Sequence, residues 1–118
     1  MGWTNVSEER LMDFDDYQVL AHSTAEYPRE RALEYLGLKL ASEAGEVAGK
    51  IGKMIRGDYL FTTEFAEILS KELGDVLWYV TEMCTVLDIR LMQVAAENTL
   101  KLKDRKSRGK IKGSGDNR

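Results

Sequence analysis

The chain has 118 residues, 43% of them hydrophobic and 31% charged, with one cysteine and one histidine. That balance specifies a single globular domain, with a core small enough for subunit contacts to matter. It excludes a disulfide framework and a multi-cysteine zinc site, and no apolar run approaches the ~20 residues that span a bilayer. The formal charge of −3 is unevenly spread: residues 101–118 carry a net +6, so the first hundred carry −9. The acidic body argues against nucleic acid as a partner. The start, MGWTNVSEERLMDFDDY, lacks the apolar centre of a signal peptide, so a cytoplasmic protein is expected.

Punctuation is sparse and β-type alternation nearly absent, which predicts an all-α fold. Residues 13–26 read as a first helix with Phe14, Tyr17, Val19 and Leu20 available for packing. Pro28 closes it, because the residue before a proline leaves the α region. A second helix is expected from about Arg29 to Ile55, with the stripe Leu33, Leu36, Leu40, Ala44, Val47, Ile51 and Met54 at spacings of three and four. Its Gly37, Gly45, Gly49 and Gly52 each cost about 1 kcal/mol relative to alanine. With Ala41, Ala44 and Ala48 they leave a small-residue face suited to a close helix contact, within the chain or across a dimer.

After the break at Gly57-Asp58-Tyr59, Thr62 or Thr63 is a natural N-cap for a third helix, with Glu64 and Glu67 in its first turns. Its stripe is Phe65, Leu69, Leu73, Val76, Val80, Met83 and Leu87. Cys84 falls inside this run and reads as a buried thiol rather than a nucleophile. Asp88 interrupts, and Ile89 to about Arg108 read as a fourth helix through Leu91, Val94, Ala95, Leu100 and Leu102. The expected architecture is an oligomeric four-helix bundle built on an antiparallel hairpin of the second and third helices. One domain covers 1–108, with an N-terminal helix segment 1–28 and a core 29–108, followed by a flexible basic tail, 109–118.

Two pairs of acids stand out: Glu43 and Glu46 on the second helix, Glu72 and Asp75 on the third. Each pair is spaced i,i+3 and shares a helix face. Positions 43 and 75, like 46 and 72, are equidistant from residue 59, so an antiparallel hairpin brings four carboxylates to one level. At ~100° per residue, Glu43 and Glu72 fall about 55–60° from the centres of their apolar stripes, at the edge of the core. Carboxylates there need a partner, and four together call for a hard divalent cation, Mg²⁺ or Mn²⁺ rather than zinc or copper. The bland alternative is an exposed acidic face paired with Lys39, Lys50 and Lys71. A di-iron bundle needs Glu-x-x-His on two helices, and the residue three before His22 is Val19. Asn98, Lys101 and Arg105 share a face of the fourth helix, an amide and two cations suited to a polyphosphate. Trp78 and Tyr79 follow Asp75; one could stack on a nucleobase while the other packs in the core.

Glu43-x-x-Glu46 followed by Glu72-Leu-Gly-Asp75-Val-Leu-Trp-Tyr resembles the signature of the MazG-like, all-α nucleotide pyrophosphohydrolases. Asn98-x-x-Lys101-Leu102-x-x-Arg105 and the GSGDNR finish continue the likeness, which covers roughly residues 30–118. The resemblance implies a helical bundle acting as a homodimer or dimer of dimers, with its site near a subunit interface. It implies Mg²⁺-dependent hydrolysis of (deoxy)nucleoside triphosphates to the monophosphate and pyrophosphate, with Mn²⁺ as the alternative metal and nucleotide-pool housekeeping as the task. Glu43, Glu46, Glu72 and Asp75 would then bind metal and form the catalytic set, and Asn98, Lys101 and Arg105 would contact phosphate or sugar.

One departure matters. Many relatives carry Glu-Glu-x-x-Glu, whose leading glutamate can act as base for the attacking water, and this chain has Ser42 there. A serine hydroxyl is no useful base near neutral pH, so a metal-bound hydroxide or one of the four acids must fill the role. The rival reading is a catalytically weak nucleotide-binding or regulatory module. Lys110, Lys112 and Arg118 lie beside tail glycines and are placed to fold over a bound nucleotide. Deleting residues 109–118 is expected to raise KM; an unchanged KM would remove the tail from the site.

Overall fold

A computed structural model describes residues 12–118; the start of the expected 1–28 segment lies outside the described residues. Four α-helices follow in order: α1 (Phe14–Ser23), α2 (Ala32–Arg56), α3 (Thr63–Val86) and α4 (Leu91–Ser107). A 3-10 turn, Arg29–Arg31, leads into α2, and there is no strand among the described residues. The all-α expectation is met.

Local chemistry sets the boundaries. The Asp13 carboxylate accepts the Asp16 amide at 2.8 Å, and the Asp16 side chain accepts the Asp13 amide at 3.3 Å, a reciprocal cap that starts α1. Beyond Pro28 the chain takes the 3-10 turn first, so α2 begins at Ala32 instead of Arg29. It ends at Gly57, whose φ of 102° lies in the left-handed region that favours glycine. The Thr62 hydroxyl accepts the Phe65 amide at 3.2 Å and opens α3. Asp88, at φ 57°, turns the chain out of that helix. The first amide of α4, Leu91, donates to the Gln18 side chain of α1 at 2.9 Å, so one helix caps another.

Helices α2 and α3 make the most extensive contact, α1 lies on α3, and α4 lies against α1. The small core is Tyr27, Ala32 and Leu36, with Tyr35, Trp78, Tyr79 and Met83 packed against it. Phe65, Cys84 and Leu91 are buried elsewhere. Thr81 and Glu82 are fully buried on α3. Thr81 satisfies its hydroxyl on the Leu77 carbonyl at 2.7 Å. Glu82 accepts the Tyr27 hydroxyl at 2.8 Å and lies 3.2 Å from His22 Nδ1, while its Oε1 has no partner among the described residues. A carboxylate removed from water is costly unless hydrogen-bonded, so these contacts tie α1 and the Tyr27 segment to α3.

The predicted stripes are only partly covered. Leu33, Ile51, Leu73 and Leu87 remain 37–55% exposed. The physical reason is that α4 lies against α1, so these side chains have no covering layer among the described residues. The small-residue face is also open: a Cβ added at Gly37, Gly45, Gly49 or Gly52 would meet nothing within 4 Å. Of the two contacts that face was suited to, the one within the chain is absent among the described residues. The radius of gyration is 17.0 Å, against about 13.5 Å for a compact chain of this length.

Leu36→Ala is expected to lower unfolding stability by about 2–5 kcal/mol, measured by urea denaturation. The exposed Leu38→Ala on the same helix should stay within about 0.5 kcal/mol of the parent. Burial pushes the Cys84 thiol pKa up, so it should react with a thiol reagent at pH 7 only after denaturant is added.

Candidate metal centre

Glu43 projects from the middle of α2, and Glu72 and Asp75 project from one face of α3, three residues apart. One carboxylate oxygen from each of the three lies within 4.8 Å of the others. Glu43 and Glu72 are shielded, with side chains 17% and 19% exposed, and Asp75 is open to solvent. Two lysines of α2 stand beside the group: Lys39 Nζ lies 3.8 Å from Glu43 and Lys50 Nζ lies 3.6 Å from Glu72. These are two of the three lysines that a plain acidic face would use, so the bland pairing and the convergence of carboxylates coexist here. The donor set contains only carboxylate oxygen. It fits a hard divalent ion and offers nothing to favour a soft one.

Glu46 does not join the three. It is exposed, one turn along α2 from Glu43, and lies outside the group. Like-charge repulsion explains the arrangement, since a fourth carboxylate would meet three others with only two lysines nearby. Ser42 is exposed on the same helix.

A cavity of about 330 Å³ opens beside the acids, lined by Thr24, Glu43, Asp75, Trp78 and Tyr79. The two aromatic rings meet edge to face, with centroids 4.9 Å apart and planes at 81°. Both side chains pack against the core and also line the cavity. Burial, then the neighbouring Tyr35 and the Glu43 charge, pushes the Tyr79 hydroxyl pKa up. Burial and the Asp75 charge do the same to Tyr17. Tyr17 and Thr24 therefore bring α1 to the acidic site, a contribution that the sequence did not reveal. Their i,i+7 spacing on one helix face was the available signal.

The expected phosphate-binding residues sit elsewhere on this chain. Asn98 and Lys101 line a different cavity of about 300 Å³ with Val94 and Glu97. Arg105 is buried and donates to the Asp116 carbonyl at 2.7 Å and to its carboxylate Oδ1 at 3.0 Å. Lys101 Nζ donates to the same oxygen at 3.0 Å. These bonds hold the Asp116 carboxyl below the usual range. Arg118 donates to the carbonyls of Lys110, Ile111 and Gly115, and Arg108 reaches the Arg118 carbonyl at 2.9 Å. Residues 109–118, expected as a flexible tail, turn back upon α4.

Residues 31–109 match the profile of the MazG nucleotide pyrophosphohydrolase domain. The chain belongs to the MazG family. Gene 37 protein of Mycobacterium phage L5 is 44% identical to this MazG chain over 114 residues, covering 91% of this chain and 100% of the phage protein. No solved structure matches it. The MazG segment holds α2, α3 and α4 and the acids Glu43, Glu46, Glu72 and Asp75; α1, with Tyr17 and Thr24, precedes it.

Glu43→Gln, Glu72→Gln and Asp75→Asn are each expected to weaken Mn²⁺ binding by at least about tenfold, the loss seen when even outer-shell partners of a metal are removed. Glu46→Gln should weaken it less. Calorimetric titration of the four variants checks the ranking, and equal losses at all four positions would contradict it.

Proposed function

We propose that this MazG protein is a Mg²⁺-dependent nucleoside triphosphate pyrophosphohydrolase, acting in the cytoplasm on (deoxy)nucleotides as nucleotide-pool housekeeping. The observation that carries the reading is the convergence of Glu43, Glu72 and Asp75 within 4.8 Å, inside the MazG segment and beside an aromatic-lined cavity. Water adds to the α-phosphorus, the bond to the bridging oxygen breaks, and nucleoside monophosphate and pyrophosphate leave.

Glu43, Glu72 and Asp75, with Glu46 as the fourth acid, would hold the divalent ion. When bound, that ion offsets phosphate charge and makes a water acidic enough to attack. With Ser42 at the position of the leading glutamate, one of these four acids is the proton acceptor. Asn98, Lys101 and Arg105 contact phosphate or sugar, and the two cations offset the charge that builds on departing pyrophosphate.

Self-association belongs to the same proposal, as a homodimer or dimer of dimers built on the antiparallel α2–α3 hairpin. It is supported by the open small-residue face of α2 and by the exposure of Leu33, Ile51, Leu73 and Leu87. Asn98 and Lys101 line a cavity apart from the acids in one chain, which suits a site shared between copies. The second reading, a nucleotide-binding or regulatory module with weak turnover, is favoured by Ser42 alone.

A panel of ribo- and deoxynucleoside triphosphates with Mg²⁺, read by product analysis, is expected to yield monophosphate and pyrophosphate. Orthophosphate as the first product, or binding with no turnover, would replace the hydrolase with the second reading or another chemistry. Glu72→Gln should cut kcat on the order of 100-fold if it takes the proton. Light scattering should report a mass at least twice the 13.4 kDa of one chain; a monomer that still turns over would remove the shared site.

A further inference from the structure

We propose that Thr24, at the end of α1, is a positioning residue that sets Trp78 as the stacking platform for the base of a nucleotide held at the acidic cluster. The inference rests on the nucleotide reading above. The Trp78 indole N–H donates to Thr24 Oγ1 at 2.9 Å, and that hydroxyl donates onward to the Ala21 carbonyl at 2.7 Å. Ala21 is itself buried, so the relay is anchored in a fixed part of α1. Thr24 cannot turn its hydroxyl away without losing both bonds. On the other side Tyr79 meets the indole edge to face, and the core cluster of Tyr27, Ala32 and Leu36 lies beneath. The indole is thus held by Thr24, by Tyr79 and by the core cluster.

The cavity joins two kinds of wall. Glu43 and Asp75 supply carboxylates, where a cation and the phosphates it accompanies belong. Trp78 and Tyr79 are the remaining large surface, and what fits there is a planar heterocycle. An indole has a single polar atom, a donor, and here Thr24 consumes it. Trp78 can therefore grip a base by its ring face and cannot read the hydrogen-bonding edge. Stacking of that kind tolerates any base, because each has a π-face. The volume of about 330 Å³ is at the low end of small-molecule sites, which run from roughly 300 to 1,000 Å³. Thr24 precedes the matched segment 31–109, so this chain recruits a residue from outside the MazG domain to orient one inside it.

The test is binding, which does not depend on turnover. In a Trp3→Phe background, Trp78 is the only tryptophan, and its emission follows each titration in the presence of Mg²⁺. The two probes are a non-hydrolysable deoxynucleoside triphosphate analogue and inorganic tripolyphosphate. Thr24→Val, which keeps the shape and loses the acceptor, is expected to raise the nucleotide Kd about three- to tenfold, the worth of one hydrogen bond. Thr24→Ser should restore it, and Trp78→Ala, followed by calorimetry, should raise it about 5- to 100-fold through lost stacking. Tripolyphosphate should bind all variants alike. A nucleotide Kd unmoved by Thr24→Val overturns the proposal, as does an equal loss for tripolyphosphate or a parent protein that binds no nucleotide. Thr24-dependent binding without pyrophosphate release would sink only the hydrolase reading and leave this one standing.

Discussion

Mutual repulsion of three carboxylates is the constraint that the rest of this molecule must satisfy. At 4.8 Å each pair of unit charges repels by about 1 kcal/mol in water and about 3.5 kcal/mol at an effective dielectric of 20. Lys39 and Lys50 offset part of this, and the remainder is borne by the contact between α2 and α3. Tyr35 and Leu36 meet Trp78 and Tyr79 on one side of the acids, and Tyr59 meets Phe65 near the loop at 5.5 Å between ring centroids. The acids are therefore clamped between apolar contacts on both sides.

The helices and three of the four acids were legible in the sequence, because both depend on near-neighbour spacing. Periodicity located α2 and α3 to within a few residues, and Thr62 and Gly57 marked their facing ends. What periodicity cannot report is which side of an amphipathic stripe finds a neighbour. Leu73 and Leu87 sit on the same stripe as Phe65, yet only Phe65 is covered, since the path of α4 is decided by its contacts with α1. Glu82 escaped notice for the complementary reason. An acid within TEMCTV reads as a surface residue until Tyr27 and His22, 55 and 60 positions away, are folded onto it. Glu46 shows a third limit: i,i+3 spacing puts two acids on one face but does not dictate which rotamer each adopts.

The basic end of the chain divides into engaged and open parts. Residues 101–118 carry a net +6, and Lys101 and Arg105, the two cations expected to contact phosphate, already share one carboxylate oxygen of Asp116. Asp116 is itself 80% exposed, so this contact is a surface ion pair on one side and a buried guanidinium on the other. A polyphosphate arriving at Lys101 and Arg105 would exchange one anion for another. The electrostatic gain would be the difference between the two, smaller than a bare pair of cations suggests.

Helix α1 is fastened mainly by polar contacts. Gln18 bonds Thr85, the Ile89 carbonyl and the Leu91 amide, Asp15 pairs with Arg90, and His22, Thr24 and Tyr27 complete the seam. Ala21 is the one α1 residue buried in it. Such a seam regains water on both sides when it parts, and little oily surface is laid bare. Detaching the N-terminal helix would therefore cost mainly hydrogen bonds, and it would strip the Trp78 indole and the buried Glu82 of partners they have only on that side.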